Sequence, residues 1–281
     1  MAAETLTRPR AAASDSGPSG LPVTAWVLRE QRRSLIGWGT ALAMISAIYA
    51  AFYPAMGGDE MTDLIETLPE ALVEGLGYGA IGTAAGYLDS TVYSLLAPAL
   101  MLVFGIGFGA RVLAGQEEDG TLELELTLPI ARHRVLLERF LSLVVQLALL
   151  AVVVFAVVAT MAMALDMDVA LANIAAATLG LFLLALAMGT VALGVGAATG
   201  RKAAGLAAGA GLAVAGFMAN VLSPIIDGAA WLENVSPFGW YLGGDPLNEG
   251  IDPIGFGALL AVTLVALAVS LPIHARRDVG V

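Results

Sequence analysis

Residues 141–165 read LSLVVQLALLAVVVFAVVATMAMAL, a run with no Asp, Glu, Lys, Arg or His. At about 1.5 Å of rise per residue, a helix of this length crosses the roughly 30 Å hydrocarbon layer of a bilayer. Working outward, five more runs free of those residues lie near 35–56, 91–110, 173–199, 203–225 and 254–273. The 281-residue chain is 58% apolar and 13% charged, and its mean hydropathy is +0.84. A water-soluble domain of this size has no means of hiding so much apolar surface. Helices that are hydrophobic all round also occur inside large soluble proteins. Six of them would need a polar shell that this sequence lacks. The expected fold is an all-α integral membrane protein with six transmembrane helices.

The placement of charge gives the expected orientation. All 13 Lys and Arg fall into clusters: Arg8 and Arg10; Arg29, Arg32 and Arg33; Arg111, Arg132, Arg134 and Arg139; Arg201 and Lys202; Arg276 and Arg277. Residues 34–110, 140–200 and 203–275 contain none, and each of these stretches holds two of the apolar runs. Basic residues mark the cytosolic side of short loops, so the chain is expected to cross out and back three times, with both termini cytosolic. The three outer connections then carry acids only, from Asp59, Glu60, Asp63, Glu66, Glu70, Glu74 and Asp89 through Asp166 and Asp168 to Asp227, Glu233, Asp245, Glu249 and Asp252. Residues 1–20 have no apolar core suited to a targeting peptide and read as a disordered cytosolic tail. Residues 21–281 form the expected membrane domain. Its first segment, with Leu21, Val23, Trp26 and Val27 beside Arg29, Arg32 and Arg33, suits an amphipathic helix along the inner headgroups.

Three small-x-x-x-small pairs, Gly105 with Gly109, Gly196 with Gly200, and Gly205 with Gly209, favour close helix packing. They fit packing inside one subunit or a contact between two copies. The match of Gly105, Gly107 and Ala110 to a dinucleotide-binding G-x-G-x-x-A lacks the surrounding strand-helix unit and carries no weight.

The chemistry available is narrow. With no cysteine there is no disulfide framework, thiolate metal site or thiol nucleophile. None of the six runs holds an ionisable residue, whereas ion-driven transporters carry such groups at membrane depth. Gln146, Asn173 and Asn220 are amides suited to bonds between helices. The single lysine, Lys202, follows Arg201 rather than the glycine of a G-x-x-x-x-G-K-[ST] phosphate loop. Both histidines, His133 and His274, sit near arginines at the expected inner edge, away from any candidate nucleophile. No catalytic, cofactor or metal site is expected on this chain, and no nucleic-acid partner.

The longest inner connection, residues 111–140, includes EEDGTLELELTLPIARHR at 117–134: acids, an apolar stripe, Pro129, then bases. Leu122, Leu124, Leu126 and Leu128 alternate as a strand would. Thr121 as a cap, Glu123 and Glu125 in a first turn and Pro129 as a stop fit a helix. This segment, its place between second and third spans, the basic entry helix and the phrase SPFGWYLGGDPL at 236–247 resemble the type-2 class of ABC permeases. The resemblance implies a coupling helix seated on a separate ABC ATPase, with Glu117, Glu118, Gly120, Thr121, Leu122, Glu123, Pro129 and Arg132 at the matching positions. It also implies short outer helices dipping back into the membrane, bearing Trp231, Phe238, Trp240 and Tyr241. Taken alone, those aromatics fit an interfacial belt equally well.

The same resemblance implies a multi-pass plasma-membrane permease that dimerises and works with two ATPase copies. The partner would bind ATP and Mg, and the pair would export a hydrophobic or amphipathic drug, antibiotic or lipid. The alternative is a membrane scaffold that binds a cytosolic partner and moves nothing.

Overall fold

A computed structural model describes residues 22–56, 82–118, 132–226 and 228–276. The tail at 1–20, the connection at 57–81 between the first and second spans and the segment at 119–131 between the second and third lie outside the described residues. Within them every regular element is helical and no strand occurs. Helix α1 (Pro22–Glu30) leads into α2 (Arg32–Met56), the first span. The second is composite: α3 (Ala84–Leu88), a π-helical stretch (Asp89–Leu96) and α4 (Ala97–Arg111). A short α5 (Ala114–Glu118) precedes the third and fourth spans, α6 (Arg132–Ala164) and α7 (Leu171–Thr199). The fifth is α8 (Lys202–Leu222), followed by the short α9 (Trp231–Val235) and α10 (Pro237–Leu242) and by α11 (Pro253–Arg276), the sixth. Six helices are thus long and apolar enough to cross a membrane.

The fourth span is the hub. It packs against α4, α6, α8 and α11, and 72% of its most apolar window is buried, against 22% in the first and fifth spans. Small residues make that centrality possible. A Cβ on Gly109 would collide with the carbonyl oxygen of Gly189, and one on Gly189 would stand 3.0 Å from the carbonyl oxygen of Gly105. On α8, a Cβ at Gly205 would stand 2.6 Å from the carbonyl oxygen of Ala192 and one at Gly209 2.9 Å from the Ala192 Cβ. The small-residue pairs of the second and fifth spans therefore serve packing inside this chain. Gly196 also faces its own chain, at Ala110 and Ala114, whereas Gly200 ends α7 in the left-handed conformation at φ 67, the usual glycine C-cap. Only Gly200 and Arg201 separate the fourth and fifth spans, which forces them to run antiparallel.

Two span edges depart from the sequence expectation, and both correct a chemical inference. The second span starts at Ala84 rather than near 91, which moves Asp89 from the outer loop into a membrane-length helix. The third starts at His133 rather than near 141 and takes in Arg134, Glu138 and Arg139. Its 32 residues make about 48 Å of helix, longer than the roughly 30 Å hydrocarbon layer, so an end can carry charge beyond the lipid tails. The six spanning helices are therefore not free of ionisable groups. The π-helical stretch has a local cause: Pro98 has no N–H for the carbonyl of residue 94, and a proline is a common reason for an irregular ladder.

Candidate functional site

At one end of the bundle four elements are tied together by side chains in and next to the segment that the sequence marks for docking. The Glu118 carboxylate accepts a hydrogen bond from the Lys202 backbone N–H at 2.9 Å, capping the start of α8. The guanidinium of Arg139 is fully buried and donates from Nη2 to Gln116 Oε1 at 2.8 Å. One turn away, Arg134 Nε bonds Glu138 Oε1 at 3.1 Å. Glu138 in turn holds the entry helix: the Thr24 hydroxyl donates to its carbonyl oxygen at 3.1 Å, and the Thr24 N–H approaches Oε2 at 3.4 Å. Helix α1 buries Thr24 and Val27 and leaves Arg29, with Arg32 and Arg33 just beyond, exposed. Helix α5 is therefore bonded through polar side chains to the third and fifth spans.

Of the eight docking positions, Glu117 is half-buried and Glu118 exposed at the end of α5. Arg132 opens α6. Gly120, Thr121, Leu122, Glu123 and Pro129 lie outside the described residues. Gln116 and Arg139 were missed by sequence reasoning, because an arginine next to a span reads as an inside-facing charge rather than as a buried contact.

At the opposite end, the four aromatics that the sequence places on the outer side separate. Tyr241 is fully buried and donates to the carbonyl oxygen of Tyr93 in the π-helical stretch at 3.0 Å. The Tyr93 hydroxyl meets Thr178 Oγ1 on the fourth span at 2.9 Å. Burial, with the charge of Asp89 and the nearness of Tyr93 adding to it, holds the Tyr241 phenol well above the usual range. Phe238 is buried edge-to-face on Phe217, ring centres 5.3 Å apart. Trp240 is half-buried and donates to the Asn234 carbonyl at 2.7 Å. Trp231 is 61% exposed and stands apart from this packed group.

Local sequence explains the arrangement. Ser236 caps α10, accepting from the Phe238 and Gly239 N–H groups, while its hydroxyl donates to the Gly216 carbonyl at 2.7 Å. That single residue starts the short helix and docks it on the fifth span. Asp252 Oδ1 and Oδ2 cap α11 through the N–H groups of Ile254 and Gly255, both at 2.9 Å. Asn173, read from sequence as an interhelical amide, binds the carbonyls of Leu247 and Asn248 at 2.9 and 2.8 Å. The segment from Trp231 to Leu242 thus forms two short helices, the second docked on the fifth span through Ser236.

Between the second and fifth spans lies a cleft of about 380 Å³, running from Ser94, Phe217 and Phe238 to Gly107 and Leu206. Ser94 is its one polar side chain. A search of curated proteins finds no match to the chain. A family model does match, over residues 27–279, and its description is ABC-2 family transporter protein. Six membrane-length helices and that match over nearly the whole length agree: this chain belongs to the ABC-2 family of transporter membrane proteins.

Proposed function

We propose that this ABC transporter permease is the membrane half of an exporter, acting as a dimer of two permease chains with two copies of a separate ATPase. Family membership makes it a multi-pass transmembrane subunit and implies the ATPase partner. The observation that carries the coupling step is the bonding of Glu118 to the start of α8 and of Gln116 to Arg139. ATP and Mg bind on the partner, and closure of the ATPase pair pushes the segment from Glu117 to Arg132. The helices that α5 touches then move, and the central pathway changes from inward to outward access. The short helices at 231–242, through Phe238, Trp240 and Tyr241, close the outer end. An apolar cleft of drug-like size favours a hydrophobic or amphipathic substrate.

The test is reconstitution. Purified alone in lipid, the chain should hydrolyse no ATP and drive no uptake; with its ATPase, hydrolysis and substrate movement should appear together. ATP-independent, proton-driven transport by the permease alone would refute the exporter reading. Binding of the ATPase without any substrate movement would favour the scaffold.

Orientation has its own check, made easy by the absence of native cysteine. Single cysteines at positions 63 and 249 should react with an impermeant thiol reagent on intact cells. Those at 124 and 278 should react only after permeabilisation. Labelling of position 124 from outside would reverse the assignment of the inner loops.

A further inference from the structure

Asp89 is a carboxylate inside a membrane-length helix whose role the coupling scheme leaves open. Its Oδ2 accepts a hydrogen bond from the Ser94 hydroxyl at 3.3 Å. Its Oδ1 is buried and, among the described residues, has no hydrogen-bond partner. Ser94 is also the polar residue at the outer end of the cleft between second and fifth spans. The π-helical stretch creates this pairing. Residues five apart on a regular α-helix point about 140° away from each other, whereas the widened turn brings Ser94 to Asp89. Such insertions are uncommon and recur at functional sites.

The sign of the surroundings narrows the ligand. Every residue lining the cleft comes from stretches 34–110 and 203–275, which contain no Lys or Arg. The other ionised group acting on Asp89 is Asp245, of the same charge. A buried carboxylate oxygen without a partner is costly, and since stretches 34–110 and 203–275 hold no Lys or Arg to offset it, a cation entering the cleft would supply the missing charge.

We infer that the cleft between the second and fifth spans binds a lipophilic cation, with its apolar body against Leu102, Ile106, Leu206 and Phe217 and its charge toward the Asp89–Ser94 pair. This rests on the exporter reading above and specifies its substrate class. Desolvation by the apolar walls strengthens the attraction between cation and carboxylate. The same walls give no hold on an anion, which Asp89 and Asp245 together repel.

Two size-matched probes of opposite sign provide the test. Tetraphenylphosphonium and tetraphenylborate are titrated by equilibrium dialysis against the full-length permease in lipid nanodiscs, with binding to empty nanodiscs subtracted. The phosphonium should bind saturably, and Asp89→Asn should weaken it about tenfold or more while leaving the borate unchanged or tighter. Asp89→Glu should restore the cation alone. Filling the cleft with Ala213→Trp should weaken the phosphonium in the wild-type background. Equal phosphonium affinity in wild type and Asp89→Asn overturns the inference. So does loss of both ions in Asp89→Asn that Asp89→Glu fails to repair, which assigns the residue to packing. Absent phosphonium binding, with disulfide cross-linking of two copies through cysteines at 213, gives the cleft to a second chain and also overturns it. The binding arm needs no ATPase, so a permease that binds the cation yet couples to no ATPase would sink the exporter reading and leave the cation site standing.

Discussion

Gly109→Leu is expected to eliminate correctly folded protein, leaving little material that survives detergent extraction as a single species on size exclusion. The cause is a backbone contact. A Cβ at position 109 would overlap the carbonyl oxygen of Gly189 and approach the backbone nitrogen of Leu193 at 3.2 Å. A clash with a flexible side chain is relieved by a rotamer change, but a carbonyl in the middle of the fourth span moves only if the helix moves. Separating the second span from the hub would also open the approach of Gly105 to the Ala185 carbonyl. Overpacking a core usually costs about 1–3 kcal/mol, occasionally more, and a collision with fixed backbone belongs at or above the top of that range. Gly211→Leu is the control, because no atom lies within 4 Å of a Cβ built there, and a change at such an open site usually stays within about 0.5 kcal/mol. Gly109→Leu protein with a melting temperature equal to that of Gly211→Leu would show that the second and fourth spans do not pack through this glycine.

That contact also shows how far the sequence can be read. Six apolar runs and the clustering of arginines made the six helices legible, because hydrocarbon excludes charge from any run that must face it. The rule fails where protein shields the charge. Asp89 truncated the second run because a lone acid reads as loop, whereas a π-helical turn and Ser94 hold it inside the helix. Glu138 and Arg139 shortened the third because Thr24 and Gln116, which cover them alongside the local Arg134, are remote in sequence. The same limit hid the outer packing: Tyr241 and the Tyr93 carbonyl are 148 residues apart, and no local pattern reports such a bond. Ser236 entered only within the phrase 236–247 that carries the family resemblance, although its capping of α10 acts on its own neighbours and is a signal that local sequence can report.

Reversing the acids of the docking segment together, Glu117→Lys, Glu118→Lys and Glu123→Lys, is expected to lower ATP-driven transport at least tenfold while the ATPase partner keeps its own hydrolysis. The structure changes how the single variants should be interpreted. Glu118 accepts from the Lys202 N–H at the start of α8, so a lysine there removes a cap and places positive charge at the positive end of a helix dipole beside Arg201. Losing a cap costs typically about 1 kcal/mol, and the unfavourable charge adds roughly 0.3–1 kcal/mol. Glu118→Lys alone therefore mixes a local structural cost with a docking effect. Glu118→Gln separates them, because the amide oxygen still accepts the Lys202 N–H while the negative charge is gone. If the charge is read by the ATPase, Glu118→Gln should reduce complex formation or its on-rate, more strongly at low salt, and leave the melting temperature of the permease unchanged. If Glu118 is only a cap, Glu118→Gln should behave as wild type and Glu118→Lys should lower the melting temperature without altering the transport-to-hydrolysis ratio of the protein that remains folded. Glu66→Lys, in the loop expected on the outer side and so away from the ATPase, controls for the added charge. Normal coupled transport in the triple variant would remove the acidic docking surface from the mechanism and leave the buried Arg139–Gln116 contact as the remaining path from α5 into the spans.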